Sequence, residues 1–413
     1  MKIKRSILVI LLTSSFLAVT SFAAPLLDFD PITHAQRVAK NNAWIEIDDT
    51  AITRNIEKLK VMVGTGTKIC AIVKADAYGN SIELIMPALI NANLPCLGFG
   101  SNEEARIARK HGYNGVLMRV RTALEVEVRD GIQYDIEELV GNLIYAQEVA
   151  KIAKEMHHPL RIHLAINANG LSRNGIELAT EQGRQDALEI SKIENLEIVG
   201  LMTHYPVEEI DDVKANLELF KQQSTWLIDA TNLERNKLTL HAANTFATLE
   251  VPESHMDMVR VGGAIYGDLP HYPELERTFA AFKTRVATVN SYPKGNTVGY
   301  DRTITLKRDS RLANLPIGYA DGYRRAFSNK AFVLINGHRV PVIGKISMNT
   351  TMVDVTDFPD IKFGDEVVIF GKQGKDEITQ EELEEIQGAL LADIYLPWAN
   401  SNPRILQSQK SSD

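Results

Sequence analysis

Cysteine is scarce: the 413 residues hold two, Cys70 and Cys96, too few for a disulfide scaffold or a thiolate zinc site. Positive charge is in deficit too. A formal net charge of −8 argues against a nucleic-acid partner, because phosphate binding needs a basic surface. No low-complexity tract interrupts the chain, and the histidines show no short-spaced ligand pair on one strand of the kind a metal-dependent barrel hydrolase would use. Long apolar runs are confined to the N-terminus, where Lys2, Lys4 and Arg5 precede an apolar stretch from Ile7 to Val19 and the small-residue site "SFAA". This reads as a signal peptide over residues 1–23, cut after Ala23. The run is too short and interrupted to span a bilayer, so the reading is an exported, periplasmic protein with no membrane anchor. In such a compartment an even pair of cysteines suits a bridge.

What remains after the leader, about 390 residues, is enough for two domains. From Lys68 onward short β-branched runs recur: "KICAIVK", "PCLGFG", "GVLMRV", "YDIEELVG", "LRIHLAI", "LEIVGLMT", "KLTLHA" and "MVRVGG". Between most of them lie segments such as "NSIELIMPALINA" and "DDVKANLELFKQQSTWLIDA", whose apolar residues return every three or four positions. Alternating strand and helix implies parallel strands with right-handed crossovers. Eight units predict an α/β fold, a (β/α)8 TIM barrel over residues 24–279, with an open doubly wound sheet as the rival. After Phe279 helical periods vanish and turn-punctuated strands appear, as in "AFVLINGHRVPVIG", where Asn336-Gly337 suits a tight hairpin turn. Residues 280–413 are therefore expected to form a mainly β domain.

Barrel enzymes place their chemistry at the C-terminal ends of the strands. Applied here, that rule gathers Lys74, Arg119, Arg121, Asn167, Arg173, His204, His241, Asn244, Arg260, Gly262 and Gly263 at one mouth. Each has a plainer reading: a solvated strand end for Lys74, structural roles for His204 and His241, a simple turn for the glycines. A glycine pair after the eighth strand is also where such barrels hold a phosphate on backbone N–H groups. A strand-end lysine across from it suggests pyridoxal 5′-phosphate, whose aldehyde the amine attacks while the backbone holds the phosphate. Burial would raise the fraction of free amine.

The stretch "AIVKADAYGN" (Ala71–Asn80) resembles the V-x-K-A-D-A-Y-G motif of alanine racemases, and "RVGGAIYG", "VGYDRT", "GYADGY" and "GKISMNTTMVDV" resemble that family's further motifs in the same order. The likeness runs from Ala43 to about Arg404. It implies a fold-type III pyridoxal-phosphate enzyme with small-molecule amino-acid substrates, built as a head-to-tail homodimer whose active sites share residues. On this resemblance Lys74 carries the cofactor; Tyr78, Asn244, Thr245, Gly262, Gly263 and Tyr395 surround its phosphate; and Arg260, with His204 and His241 nearby, faces its ring nitrogen. "ADIYLPWANSNPR" departs from the family's more basic ending around Tyr395. Racemisation needs a proton removed from one face of Cα and returned on the other, hence two acid/base groups. Lys74 is one, and Tyr300 from the other subunit is the second. A free phenol is a poor base at neutral pH, so the reading calls for helpful neighbours, with His204 and Arg260 as candidates.

Two departures bear on substrate. Where the family carries a carbon-dioxide-modified lysine supporting an arginine, the alignment puts Ala165 and Arg173, leaving Asn167, Asn174 or a bound anion to replace the support. The family's Met-Asp reads Met348-Asn349. With Arg119, Arg121, the leader and the cysteines, these changes resemble the periplasmic broad-specificity amino-acid racemases, which implies turnover of lysine, arginine, alanine and other unbranched substrates. Arg173, Asn174, Tyr319, Met348, Arg119 and Arg121 are the expected substrate residues. If the first two strands are parallel neighbours, Cys70 lies beside Cys96 at the barrel's opposite rim, close enough for a disulfide. Rival readings are an alanine-specific racemase, a decarboxylase of the same fold type, whose opposing cysteine is missing here, and a non-catalytic cofactor carrier, which would lack residues 280–404.

Overall fold

The computed structural model describes residues 40–168 and 170–407; the expected leader lies outside them. Eight parallel strands, β2 (Lys68–Ile72), β3 (Cys96–Phe99), β4 (Val116–Arg119), β5 (Ile136–Val140), β6 (Leu160–Ala165), β7 (Leu196–Met202), β8 (Thr239–His241) and β9 (Met258–Val261), pair in sequence order, and β9 returns to pair with β2. Backbone bonds from Asp257 N to Leu240 O (3.1 Å) and Arg260 N to Ala243 O (2.9 Å) join β8 to β9. The sheet is thereby a barrel, as the alternation of patterns predicts. Its helices bury one stripe each: Ile210–Asp229 turns Val213, Leu217, Phe220, Ser224 and Leu227 inward, at the spacing of an amphipathic helix.

A strand missed by the sequence reading, β1 (Ala43–Ile47), precedes the barrel and belongs to the other sheet. It pairs antiparallel with β10 (Phe279–Arg285) and parallel with Arg404–Leu406, so the second domain is closed by both flanks of the described chain. The barrel span of 24–279 is corrected accordingly. All five residues of β1 are buried, which is why the segment shows no alternation to mark it as a sheet strand. The Asn336-Gly337 hairpin forms as expected, with φ of 52° and 79° joining Phe332–Ile335 to His338–Pro341. Helices do not vanish after Phe279, however. Gln380–Gln387 starts on Thr379, whose side chain accepts from Glu382 N, and ends at left-handed Gly388; Leu391–Ser401 follows.

Period-two alternation corrects one expected site residue. Met118 on β4 clusters with Cys70, Cys96 and Met258 inside the barrel, so its neighbour Arg119 points outward into the helix layer. There it is 0% exposed, with Nε donating to Glu138 Oε2 (2.7 Å) and Nη2 to Asn102 Oδ1 (2.6 Å). Arg119 therefore does not reach the mouth. Arg121, beyond the strand, is exposed and paired with Glu127. We expect Arg119→Ala, which strands the buried Glu138 carboxylate, to cost about 3–5 kcal/mol of stability in a denaturant titration. Cys70 and Cys96 stand opposite each other in the β2–β3 register and form a disulfide, Cα–Cα 4.4 Å. The bond lies within the barrel.

Candidate active site

The lysine at the end of β2 sits on an unusual turn. Ala75, Asp76, Ala77 and Tyr78 all have φ between 53° and 56°, and Gly79 follows at 74°. Four left-handed L-residues in a row cost roughly 1–2 kcal/mol each, so the surroundings must enforce the shape. Glu104 does much of this. Its Oε1 accepts from Asp76 N (2.9 Å), while Oε2 accepts from Gly100 N (2.8 Å) and Ser101 N (2.9 Å). Asp76 in turn accepts from Ile82 N (2.8 Å) and pairs with Arg404. Every contact of Glu104 is an N–H donor, so Glu104→Gln places an amide against them. We expect it to lose about 1–3 kcal/mol of stability and to release cofactor more readily, as measured by denaturation and by cofactor absorbance after dialysis.

Lys74 opens onto a cavity of about 770 Å³. Burial, with Arg173 adding repulsion, lowers its pKa against the opposing pull of Glu104, as a nucleophilic amine requires. Tyr78, Asn244, Thr245, Arg260, Gly262 and Gly263 line the same space, as do His204 and Arg173. The glycine pair forms a close backbone surface: a Cβ on Gly262 would fall 2.4 Å from the Tyr78 hydroxyl. Thr245 Oγ1 sits beside this turn, accepting from Gly262 N (3.3 Å) and Ala264 N (3.4 Å). Hydroxyls of Tyr78 and Thr245 beside glycine backbone suit a phosphate, and burial raises the Tyr78 pKa to about 12, keeping it a donor.

Arg260 is held from behind. Nη1 donates to His241 Nδ1 (2.8 Å), and Nη2 to Thr203 O (2.7 Å) and Ala242 O (3.0 Å), with His204 Nδ1 at 3.2 Å. Burial lowers its pKa to about 10, so it stays charged at neutral pH. The same burial, together with Arg260, Arg173 and Lys74, drives His204 down to about 3. His241 is fully buried and stands behind Arg260, not on the cavity wall, which corrects its expected direct role in binding the cofactor. Tyr395 is likewise buried, and its hydroxyl donates to Asp268 Oδ2 (2.6 Å). Asp268 lines the cavity, so in this structure Tyr395 serves the wall through a carboxylate.

Arg173 also borders a second cavity of about 380 Å³ with Asn167, Ser172 and Asn174. Asn167 organises that loop: its Oδ1 accepts from Ser172 N (2.8 Å), and its Nδ2 donates to Glu177 Oε2 (2.8 Å). Tyr300, Tyr319 and Met348 lie elsewhere, on the β domain, with 63%, 40% and 55% exposure. The Arg325 guanidinium lies over both tyrosine rings, 6.0 Å and 5.3 Å from their centroids, and Ala320 N donates to Met348 O (2.9 Å). They form one exposed cluster, and none of them lines the lysine cavity of their own chain.

Sequence reasoning did not single out Glu104, Asp268, His163 or Glu137. The last two carried a signal, a charged or polar residue inside the apolar runs "YDIEELVG" and "LRIHLAI".

Known proteins resemble this one over nearly its whole length. The alanine racemase N-terminal domain matches residues 47–270 and the alanine racemase C-terminal domain residues 279–406. A broad specificity amino-acid racemase of Pseudomonas taetrolens is 55% identical over 410 residues, covering 99% of this chain and 100% of the relative. A lysine racemase of Proteus mirabilis is 49% identical over 375 residues, 91% of this chain and 92% of the relative. Among solved structures, the alanine racemase of Bartonella henselae with covalently bound pyridoxal phosphate superposes with a TM-score of 0.77 at 25% identity, covering 89% of this chain and 99% of that one. With both halves matched and the lysine cavity in place, the chain belongs to the alanine racemase family of pyridoxal-phosphate-dependent isomerases.

Proposed function

We propose that this protein is a periplasmic racemase of broad specificity, a homodimer acting on lysine, arginine, alanine and other unbranched amino acids. The observation that carries the reading is the meeting of Lys74, Arg260 and the Gly262-Gly263 backbone in one cavity. Pyridoxal 5′-phosphate, when bound there, supplies the electron sink that acidifies the substrate Cα–H. The chain's own residues do the rest. Lys74, its amine favoured by burial, anchors the cofactor and moves a proton on one face of Cα. Arg260 donates hydrogen bonds without giving up a proton, which keeps the sink weak and disfavours side reactions. Tyr300 of the partner subunit serves the opposite face. Its exposure beside Tyr319 and Met348 supports that reading, because a second chain could cover this cluster.

Breadth is supported by Ala165, a short side chain facing Leu139 and Met202, and by relatives bearing the names broad specificity and lysine racemase. Incubating the purified protein with each L-amino acid and resolving products by chiral chromatography tests this. D-Lysine and D-arginine should form at rates within roughly tenfold of D-alanine. Alanine as sole substrate would reject broad specificity. Expressed with its own leader, the activity should be released by osmotic shock.

A further inference from the structure

Beneath Arg260 a chain of buried polar groups runs down the barrel interior. His241 Nε2 lies 2.8 Å from His163 Nδ1, and His163 Nε2 lies 2.8 Å from Glu137 Oε2. Glu137 Oε1 accepts from Arg161 Nε (3.1 Å), and Arg161 pairs with Asp135 (3.0 Å) in a more exposed position. His241 is 0% exposed, His163 2% and Glu137 7%. These groups come from three strands, β5, β6 and β8, and the catalytic reading uses neither His163 nor Glu137.

Donor and acceptor chemistry gives this chain one direction. A guanidinium only donates, so His241 Nδ1 must accept and its proton must sit on Nε2. That N–H faces His163 Nδ1, which must then accept, leaving the second imidazole's proton on Nε2. It in turn faces Glu137, which when ionised has no hydrogen to donate and can only accept. Adding a proton to either imidazole sets N–H against N–H at one of the links, so both are neutral. Burial and the nearby Arg260 hold the His241 pKa well below its usual value, in agreement. Burial opposes ionisation of Glu137, whereas the hydrogen bonds its carboxylate accepts from His163 and Arg161 favour it.

We propose that Glu137 is a positioning residue for the racemase site: through His163 and His241 it fixes the donor order that locks Arg260 with its remaining N–H groups toward the cofactor cavity. Without an obligate acceptor at its foot the chain can reverse. His163 would donate to His241, and His241 would turn an N–H against the guanidinium, displacing it. Glutamine at 137 cannot satisfy both neighbours. If its oxygen faces Arg161, its NH₂ faces His163 and drives the reversal; if the oxygen faces His163, two donors meet at Arg161.

The inference rests on the cofactor seating at Arg260, but its first test does not depend on catalysis. In ¹⁵N-histidine-labelled holoprotein, His163 and His241 should both give the signature of neutral imidazole protonated at Nε2; a charged ring or an Nδ1–H tautomer at either overturns the proposal. Glu137→Gln should change the tautomer signals and the visible absorbance of the bound cofactor, and lower kcat roughly tenfold with KM within about twofold. Glu137→Gln/Arg161→Leu, which frees the amide oxygen to face His163, should recover the wild-type signals and most of the lost kcat. Unchanged tautomers in Glu137→Gln, or a double variant as impaired as the single, overturns the role. Should Glu137→Gln fail to fold, the wild-type tautomers still decide.

Discussion

Lys74→Ala should yield a folded, colourless protein whose racemisation falls by at least about 10⁴-fold, the range set by losing both a nucleophile and a proton carrier. Its amine has no substitute nearby. The other cations lining the cavity are Arg173 and Arg260, neither of which can form the covalent link. The fold should survive, because removing a desolvated amine relieves a cost: burial and Arg173 both disfavour its charge, and the left-handed turn is held by Glu104 and Asp76 rather than by the lysine side chain. Measurements of visible absorbance, melting temperature and turnover separate these effects. Retention of the cofactor's visible band after dialysis, or turnover within tenfold of wild type, would contradict the assignment.

Tyr300→Phe should do the reverse to the cofactor and nearly the same to the rate. Absorbance stays, because the lysine that anchors the cofactor and the residues lining its cavity are untouched, while racemisation falls by about 10²–10⁴-fold with the loss of one acid/base group. Its neighbours make the change mild for folding. The ring is 63% exposed, and Arg325 can still lie over a phenyl face. The sequence reading looked to His204 and Arg260 to assist this hydroxyl; within one chain the cation beside it is Arg325. A mixing experiment tests the shared site directly. Neither Lys74→Ala nor Tyr300→Phe is active alone, but subunits exchanged between them should regain about a quarter of wild-type activity, since half of the dimers are mixed and each has one intact site. No recovery on exchange, with mixed dimers demonstrated, would place Tyr300 outside the partner's site.

Much of this was legible in one dimension. Eight β-branched runs became eight barrel strands because parallel strands covered on both faces are predominantly apolar, whatever polar residues a site adds. Lys74, Asn244, Thr245, Arg260 and the glycine pair stand at strand ends, and the barrel brings those ends to one mouth. The cysteine pair followed from register alone. Arg119 failed because a position one residue along a strand changes the face: the strand-end rule locates a residue along the barrel axis but not its side. β1 failed because its partners lie more than two hundred residues away, at β10 and beyond, and no local pattern announces a distant edge. The bond from Tyr395 to Asp268 was not legible because the two residues come from different elements.

By itself, then, the sequence determined the alternation of strands and helices in the barrel, the lysine proposed to carry the cofactor and the chemical class of the site, since these depend on periodicity and on motifs read locally. Tertiary structure decided which polar residues face the cavity and which stand behind it. That division separates Arg260 from His241, His163 and Glu137. It also gave the left-handed turn under Lys74 its support, through a glutamate 30 residues further on. The reason is common to all of these: buried polar groups must be satisfied by partners that only the closed barrel brings within hydrogen-bonding distance.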